Sequence, residues 1–143
     1  MLEVGVKLLT DSARLPECAM SGDAGLDLFS DQSSTIPSRG WTQVRCGIAL
    51  EIPEGLCGLV LPRSGLAFRR GITVLNSPGL IDSGYRGEIM VLLVNHSGTD
   101  AEIDAGDRIA QLLILGFEAV EMVAKNTLSQ TERGVGGFGH SGR

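Results

Sequence analysis

The sequence predicts an all-β domain with at most one short helix, and three observations support this prediction. Apolar residues alternate with polar or small ones over residues 4–8 and 48–52, which is the period of a half-buried strand. Continuous apolar runs at 59–61, 89–94 and 109–115 predict strands that are buried on both faces. Turn-forming residues separate these segments, and 20 of the 143 residues are glycine. Short strands with turns between them are typical of a sandwich or barrel.

A helix is predicted at one place, over residues 64–69, where Ser64 is a good N-cap. The apolar period stops near residue 124, so we expect a β-domain over 1–124 and a C-terminal linker with a Gly-rich arm over 125–143. Such an arm is either a loose, solvated tail or a segment that wraps a ligand. In the second case Arg133 supplies charge, glycines admit phosphates, and Phe138 stacks on a base.

The composition argues against several classes of protein. A net charge of −5 disfavours general binding to nucleic acid or to an anionic membrane. Ten of the twelve basic residues are arginine, which suits phosphate oxygens and equally fits a biased genome. The chain has three cysteines, an odd number, and none of them forms a CxxC motif: Cys18, Cys46 and Cys57. We therefore expect no disulfide framework and no zinc site. A reducing compartment fits this pattern, so we expect a cytoplasmic location. No signal peptide and no membrane-spanning run is recognisable.

The segment from Asn76 to Ile89 is the first candidate for chemistry. Residues 82–84 give a hairpin turn signal between two short arms, and Tyr85 after them is the only tyrosine of the chain. Asp82 either caps this turn or, ionised near pH 7, accepts a proton from water. The backbone N–H and C=O groups of a tight hairpin suit the edge of a base.

Four further residues have side chains that suit a phosphate or metal site. Arg63 and Ser64 lie where a strand gives way to the predicted helix, a pattern that fits an anion site and also a plain helix start. Gln111 interrupts an apolar run, so it either lies on an edge face or contacts a ligand or water. Asp27 lies between two leucines. Simple alternation predicts that its side chain points outward into solvent. If Asp27 instead lies beside a triphosphate, its carboxylate would orient the waters around Mg²⁺.

Taken together, five segments resemble the five ordered motifs of the trimeric dUTP pyrophosphatases (dUTPases). The matching segments are residues 24–28, 62–67, 76–89, 106–111 and 133–142. Each motif alone is weak, but all five occur in the family's order and spacing. The resemblance implies a distorted β-barrel of jelly-roll type and a homotrimer with shared active sites. It also implies Mg²⁺-assisted hydrolysis of dUTP to dUMP and pyrophosphate, which keeps uracil out of DNA and supplies dUMP for thymidylate synthesis.

The resemblance implies roles for the residues of the third motif. Asp82 would be the general base that activates the attacking water. Tyr85 would pack on the deoxyribose and leave no room for a 2′-hydroxyl. Asn76, with the backbone of Leu80 and Ile81, would bind the uracil edge, where cytosine presents the wrong donors and the methyl group of thymine clashes.

The other motifs are implied to bind the phosphates and the metal. The stretch Arg63–Gly65, with Ser64 at its centre, would hold the phosphates. Gln111 would hold the α-phosphate and the nucleophilic water, and Asp27 would organise the water shell of the metal. Family members also place a substrate contact at the position of Met90, for which a core methionine is the alternative interpretation.

The fifth motif is implied to close the site from a neighbouring chain. Arg133 and the backbone of the motif, including Gly139, would cover the γ-phosphate, and Phe138 would stack on uracil. The chain departs from the family at one place, because His140-Ser141 stands where Ser-Thr is frequent. Residue 140 therefore has no side-chain hydroxyl to offer, whereas Ser141 keeps one.

Three other functions compete with this interpretation. A dCTP deaminase is similar in fold and trimeric, but it commonly uses a glutamate as proton carrier, whereas this turn holds Asp82 followed by Gly84-Tyr85. A catalytically idle trimer that binds a nucleotide or a protein would have lost Asp82 or the tail, and both are present. A β-domain of unrelated role is disfavoured by five motifs in order.

Overall fold

The computed structural model describes residues 2–137, which form ten β-strands and one short helix. In chain order the elements are β1 Gly5–Leu8, β2 Leu26–Phe29, β3 Ser34–Ile36, β4 Trp41–Glu51, β5 Leu56–Leu61, α1 Ser64–Arg70, β6 Ile72–Val74, β7 Gly79–Asp82, β8 Glu88–Asn95, β9 Ala101–Ile103 and β10 Arg108–Gly116. The prediction of an all-β domain with one short helix is confirmed.

The strands form two four-stranded sheets and one small two-stranded sheet. The first sheet has the order β1-β4-β8-β6, the second has the order β2-β10-β5-β7, and β3 pairs with β9. Every pairing is antiparallel, and most neighbours in a sheet are distant in the chain. This is a jelly-roll-like arrangement. Over residues 2–137 the sheets do not close into one continuous barrel.

Aliphatic side chains from both large sheets fill one core. Leu28 and Leu112 come from the second sheet, and Val44, Ile48 and Leu93 come from the first; each is almost completely buried. Burying an aliphatic side chain of this size contributes about 1.5–3 kcal/mol. The core therefore holds the sheets face to face without help from the few aromatic residues.

Strand β8 differs from the prediction that the run 89–94 is buried on both faces. Ile89, Val91 and Leu93 are buried, whereas Met90 is exposed and Leu92 is half-buried. The prediction is wrong for a single chain because the outer face of β8 borders a surface cleft instead of a second layer. In the same way Leu8, at the end of β1, is exposed, although alternation predicted that it would be buried.

Helix α1 lies where it was predicted, but its N-cap is Arg63 and not Ser64. The N–H groups of Leu66 and Ala67 both donate to the carbonyl of Arg63, so Ser64 is already the first helical residue. The side chain of Arg63 makes no capping hydrogen bond. The helix ends at Gly71, whose φ of 64° is the left-handed conformation that favours glycine.

The turn at residues 82–84 forms, but it does not join two strands of a hairpin. The N–H of Tyr85 donates to the carbonyl of Asp82 over 3.0 Å and closes the turn. Strand β7 before the turn pairs with β5, whereas β8 after it pairs with β4 and β6. The hairpin prediction is wrong because the chain crosses from one sheet to the other at this turn.

The three cysteines are free thiols, and only Cys18 is exposed. Burial raises the pKa of the Cys46 thiol to about 12, with smaller contributions from the negative charges of Glu88 and Asp31. We expect a thiol-specific alkylating reagent at pH 8 to label the native protein at Cys18 alone. Mass spectrometry of the labelled protein checks this result, and labelling at Cys46 at the same rate would contradict it.

The same raised pKa predicts a loss of stability at alkaline pH. Above pH 9, the ordinary pKa of the group, the unfolded chain releases the Cys46 proton while the folded chain keeps it up to about pH 12. The free energy of unfolding should therefore fall with rising pH in this window, by up to about 1.4 kcal/mol per pH unit. Urea unfolding of the wild type against Cys46→Ala at several pH values isolates this slope.

Candidate functional site

A surface cleft of about 280 Å³ lies beside strands β7 and β8. It is lined by several residues that the sequence singled out, namely Asn76, Leu80, Ile81, Tyr85 and Met90. Met90 lies in the wall of this cleft and is 40% exposed, so the alternative of a core methionine is wrong. This volume lies at the lower end of the range for small-molecule sites, which measure about 300–1,000 Å³.

Strand β7 presents an unpaired backbone edge to this side of the molecule. It is the last strand of its sheet, and over residues 2–137 only β5 pairs with it. An edge strand offers a row of N–H and C=O groups that a planar amide edge can bind. A Cβ on Gly79 would lie 3.3 Å from the amide nitrogen of Asn76, so the amide packs closely against the strand.

Asp82 lies at the end of β7, next to the cleft-lining Ile81. Asp82 is exposed, and among residues 2–137 its carboxylate makes no hydrogen bond or ion pair. Its backbone carbonyl is committed to the turn through Tyr85. The side chain is therefore free to accept a hydrogen bond or a proton from a water molecule at the rim of the cleft.

Hydrogen bonds of Tyr85 and Glu88 connect the turn at residues 82–84 to strand β4. The Oη of Tyr85 donates to the carbonyl of Glu88 over 3.1 Å. The single Nε–H of Arg45 is shared between the two carboxylate oxygens of Glu88, with 3.0 Å to each. The backbone N–H of Gly47 also donates to that carboxylate, over 3.1 Å. The hydrogen bond and the charge of Glu88 raise the pKa of Arg45. These contacts tie the beginning of β8 to the neighbouring strand β4.

A second cluster brings the first, second and fourth sequence segments together. Strand β10 lies between β2 and β5, so Gln111 stands opposite both Asp27 and Leu61. Asp27 accepts hydrogen bonds from Nε of Arg63 over 3.1 Å and from a terminal nitrogen of Arg108 over 3.2 Å. Asp27 is only 2% exposed, so the expectation from simple alternation is wrong. Two positive partners stabilise its buried charge.

Arginines also line a cleft of about 280 Å³ beside this cluster. It includes Arg63, Arg69, Arg70 and Arg108. Planar guanidinium groups bind phosphate oxygens through paired N–H donors, so this surface has the chemistry for a polyphosphate. Ser64 is exposed at the start of α1 and Gly65 follows it half-buried.

Arg108 is the site residue that the sequence reasoning missed. It belongs to the fourth segment, in which the sequence singles out Gln111 alone. The available signal was its place directly after the Gly106-Asp107 turn, which predicts that it begins a strand. Its contact with Asp27 spans 81 positions in the chain and depends on the β2–β10 pairing.

The cleft and the arginine cluster lie at different places on one chain. Asp82 stands opposite Cys57, at the beginning of β5, whereas Gln111 stands opposite Leu61, at its end. Four residues along a strand span roughly 13 Å, and β7 and β10 are separated by two strand spacings of about 4.8 Å. Asp82 and Gln111 of the same chain therefore cannot contact one water molecule.

The C-terminal segment after β10 contains no strand up to residue 137. Arg133 is exposed, and its Nε donates to the carbonyl of Gly136 over 2.9 Å. Phe138, Gly139 and His140 lie outside the described residues. Within residues 2–137, no three His, Cys, Asp or Glu side chains are grouped as metal ligands, and no helix has the length and hydropathy needed to cross a membrane.

Comparison with known proteins agrees with the five segments. The dUTPase family model matches residues 11–142. The chain is 51% identical to the deoxyuridine 5'-triphosphate nucleotidohydrolase of Gloeobacter violaceus, over 99% of this chain and 97% of that one.

Two solved structures extend this similarity to the fold. The dUTPase of Staphylococcus bacteriophage 80alpha with dUpNHpp has a TM-score of 0.94 at 29% identity, over 100% of both chains. A variant dUTPase from phage phi11 of S. aureus, described as coordinating a structural Mg(II) ion, has a TM-score of 0.82 at 25% identity. That match covers 88% of this chain and 98% of the phage protein. On both sequence and structure, this chain belongs to the dUTPase family.

Proposed function

We propose that this protein hydrolyses dUTP to dUMP and pyrophosphate in nucleotide metabolism, in the cytoplasm. The observation that carries the proposal is an exposed carboxylate, Asp82, beside a small cleft with an unpaired strand edge. The family's own members are named for this reaction. Three free thiols fit a reducing compartment.

The cleft supports recognition of uracil and deoxyribose. The backbone of Leu80 and Ile81 on the open edge of β7, with the amide of Asn76, binds the donor and acceptor groups of uracil. Cytosine presents an amine where the strand edge needs a carbonyl, and an unpaired buried donor is strongly disfavoured. Tyr85 and Met90 in the cleft wall pack on the sugar and base.

The reaction itself requires a base, an oriented water and a leaving group. The carboxylate of Asp82 takes a proton from water while the water oxygen forms a bond to the α-phosphorus. The bond from that phosphorus to the bridging oxygen breaks, and pyrophosphate leaves with the electron pair. Gln111 holds the α-phosphate and the water, while Arg63, Ser64 and Gly65 bind the phosphate oxygens and stabilise the developing charge.

We propose that each site is shared in a homotrimer, because one chain cannot supply all of these groups to one substrate. Asp82 and Gln111 of the same chain are too far apart, whereas a neighbouring chain can place its arginine cluster over the cleft. Residues 1–124 are then the catalytic β-domain. Residues 125–143 are the arm that closes a site, with Arg133, Phe138 and Gly139 over the substrate.

The residues present fit Mg²⁺ that arrives with the triphosphate. Mg²⁺ usually keeps several waters and binds substrate phosphates with one or two carboxylates. Each oxygen of Asp27 accepts one arginine N–H, which leaves lone pairs for a metal-bound water. When bound, the ion neutralises charge on the phosphates.

Incubation of the purified protein with each dNTP and UTP, with and without Mg²⁺, tests the proposed function. We expect dUMP and pyrophosphate from dUTP, and a much lower rate with EDTA. The separate measurement of ammonia and pyrophosphate from dCTP distinguishes a deaminase. Release of ammonia from dCTP, or no product from dUTP, would contradict the proposal.

A further inference from the structure

The ring of Tyr85 lies directly against the backbone of Gly87. A Cβ added at Gly87 would lie 2.6 Å from Cζ and 3.0 Å from Cε2 of the ring, and closer still to Oη. Carbon atoms in contact lie about 3.5–4.0 Å apart. No side chain therefore fits at residue 87 while the ring keeps this position.

Residue 87 requires glycine because a side chain has no space there, and not because of its backbone conformation. Gly87 is not among the residues with positive φ. Its φ is therefore open to alanine, and the three heavy atoms nearest to an added Cβ all belong to the Tyr85 side chain. Gly84, in the same turn, also lacks a positive φ, and a Cβ there would meet nothing within 4 Å.

The atoms on either side of this contact are held in place. The Oη of Tyr85 donates to the carbonyl of Glu88, and the Tyr85 N–H donates to the carbonyl of Asp82. Glu88 is anchored to β4 by Arg45. The backbone cannot easily retreat, so a methyl group at residue 87 would move the ring.

We propose that Gly87 is a positioning residue for sugar specificity, because its missing side chain lets the Tyr85 ring rest on the backbone beside the cleft. The inference rests on the proposed function, in which this ring excludes a 2′-hydroxyl. Tyr85 lines the cleft and Gly87 does not, so Gly87 would act on a substrate through the Tyr85 side chain. Opening the contact from 2.6 Å to about 3.5 Å requires a ring shift of about 1 Å.

Gly87→Ala compared with Gly84→Ala tests this proposal. Discrimination between two substrates that differ by one hydroxyl group is worth about 10²-fold in kcat/KM. We expect Gly87→Ala to lower the ratio of kcat/KM for dUTP over UTP by about this factor, while Gly84→Ala keeps the wild-type ratio. An unchanged ratio in Gly87→Ala, with an active wild type, overturns the inference and leaves the proposed function intact. A wild type that does not hydrolyse dUTP overturns both.

A double-mutant cycle separates positioning from a general structural effect. If Gly87 acts through the ring, Gly87→Ala lowers the dUTP/UTP ratio in the wild type and leaves it unchanged in Tyr85→Ala. An equal loss in both backgrounds overturns the inference. If Gly87→Ala alone is insoluble, the ratio is compared between Tyr85→Phe and Tyr85→Phe/Gly87→Ala, where Oη is gone and the ring carbons nearest to the added methyl group remain. An unchanged ratio there also overturns it.

The single tyrosine gives a readout that does not depend on turnover. Protein labelled with ¹³C-tyrosine has one set of ring signals, because Tyr85 is the only tyrosine. We expect Gly87→Ala to shift these signals and Gly84→Ala to leave them at the wild-type position. Wild-type ring shifts in Gly87→Ala overturn the inference.

Discussion

Asp82→Asn is expected to lower kcat for dUTP by about 10²–10⁴-fold while the affinity for dUTP changes little. The amide has the same shape as the carboxylate and leaves the turn intact, since the turn is closed by the backbone carbonyl of Asp82. An amide cannot take a proton from water. Binding therefore survives and proton transfer is lost.

Steady-state turnover and calorimetric binding of a non-hydrolysable dUTP analogue measure the two effects separately. Asp11→Asn is a matched control, because Asp11 is an exposed carboxylate outside the two clusters. We expect the control to keep wild-type turnover. A kcat near that of the wild type in Asp82→Asn would refute Asp82 as the general base.

Asp82→Asn and Gln111→Ala are expected to restore each other's activity when they are unfolded, mixed and refolded together. If one chain supplies Asp82 and its neighbour supplies Gln111, a random mixture contains sites in which both residues are intact. In an equal mixture these are about one quarter of all sites. Two chains are needed because Asp82 and Gln111 of one chain lie far apart in the sheet β2-β10-β5-β7, both along the strands and across them.

The recovered rate and the mass of the mixed assembly check this prediction. Each variant refolded alone should stay at its own low activity, which controls for the refolding step. No recovery in mixtures that form trimers would place the complete site within one chain. That result would also contradict the shared-site proposal while leaving dUTP hydrolysis itself untouched.

Local chemistry in the sequence was sufficient to predict the class of fold, the short helix and the family. The alternation of apolar residues, the turn residues and five motifs in order depend on near neighbours in the chain. The short helix, predicted over 64–69 and observed over 64–70, and the turn after Asp82 were predictable for the same reason. Their hydrogen bonds close within four residues, so the local sequence determines them.

The tertiary structure alone decided which of these segments meet. The sequence did not show that Asp27 is buried between Arg63 and Arg108, because that contact depends on strand pairing across 81 positions. It predicted a hairpin at residues 82–84, but β7 and β8 pair in different sheets. Long-range register, and not residue type, sets these distances, and it separates Asp82 from Gln111 within one chain.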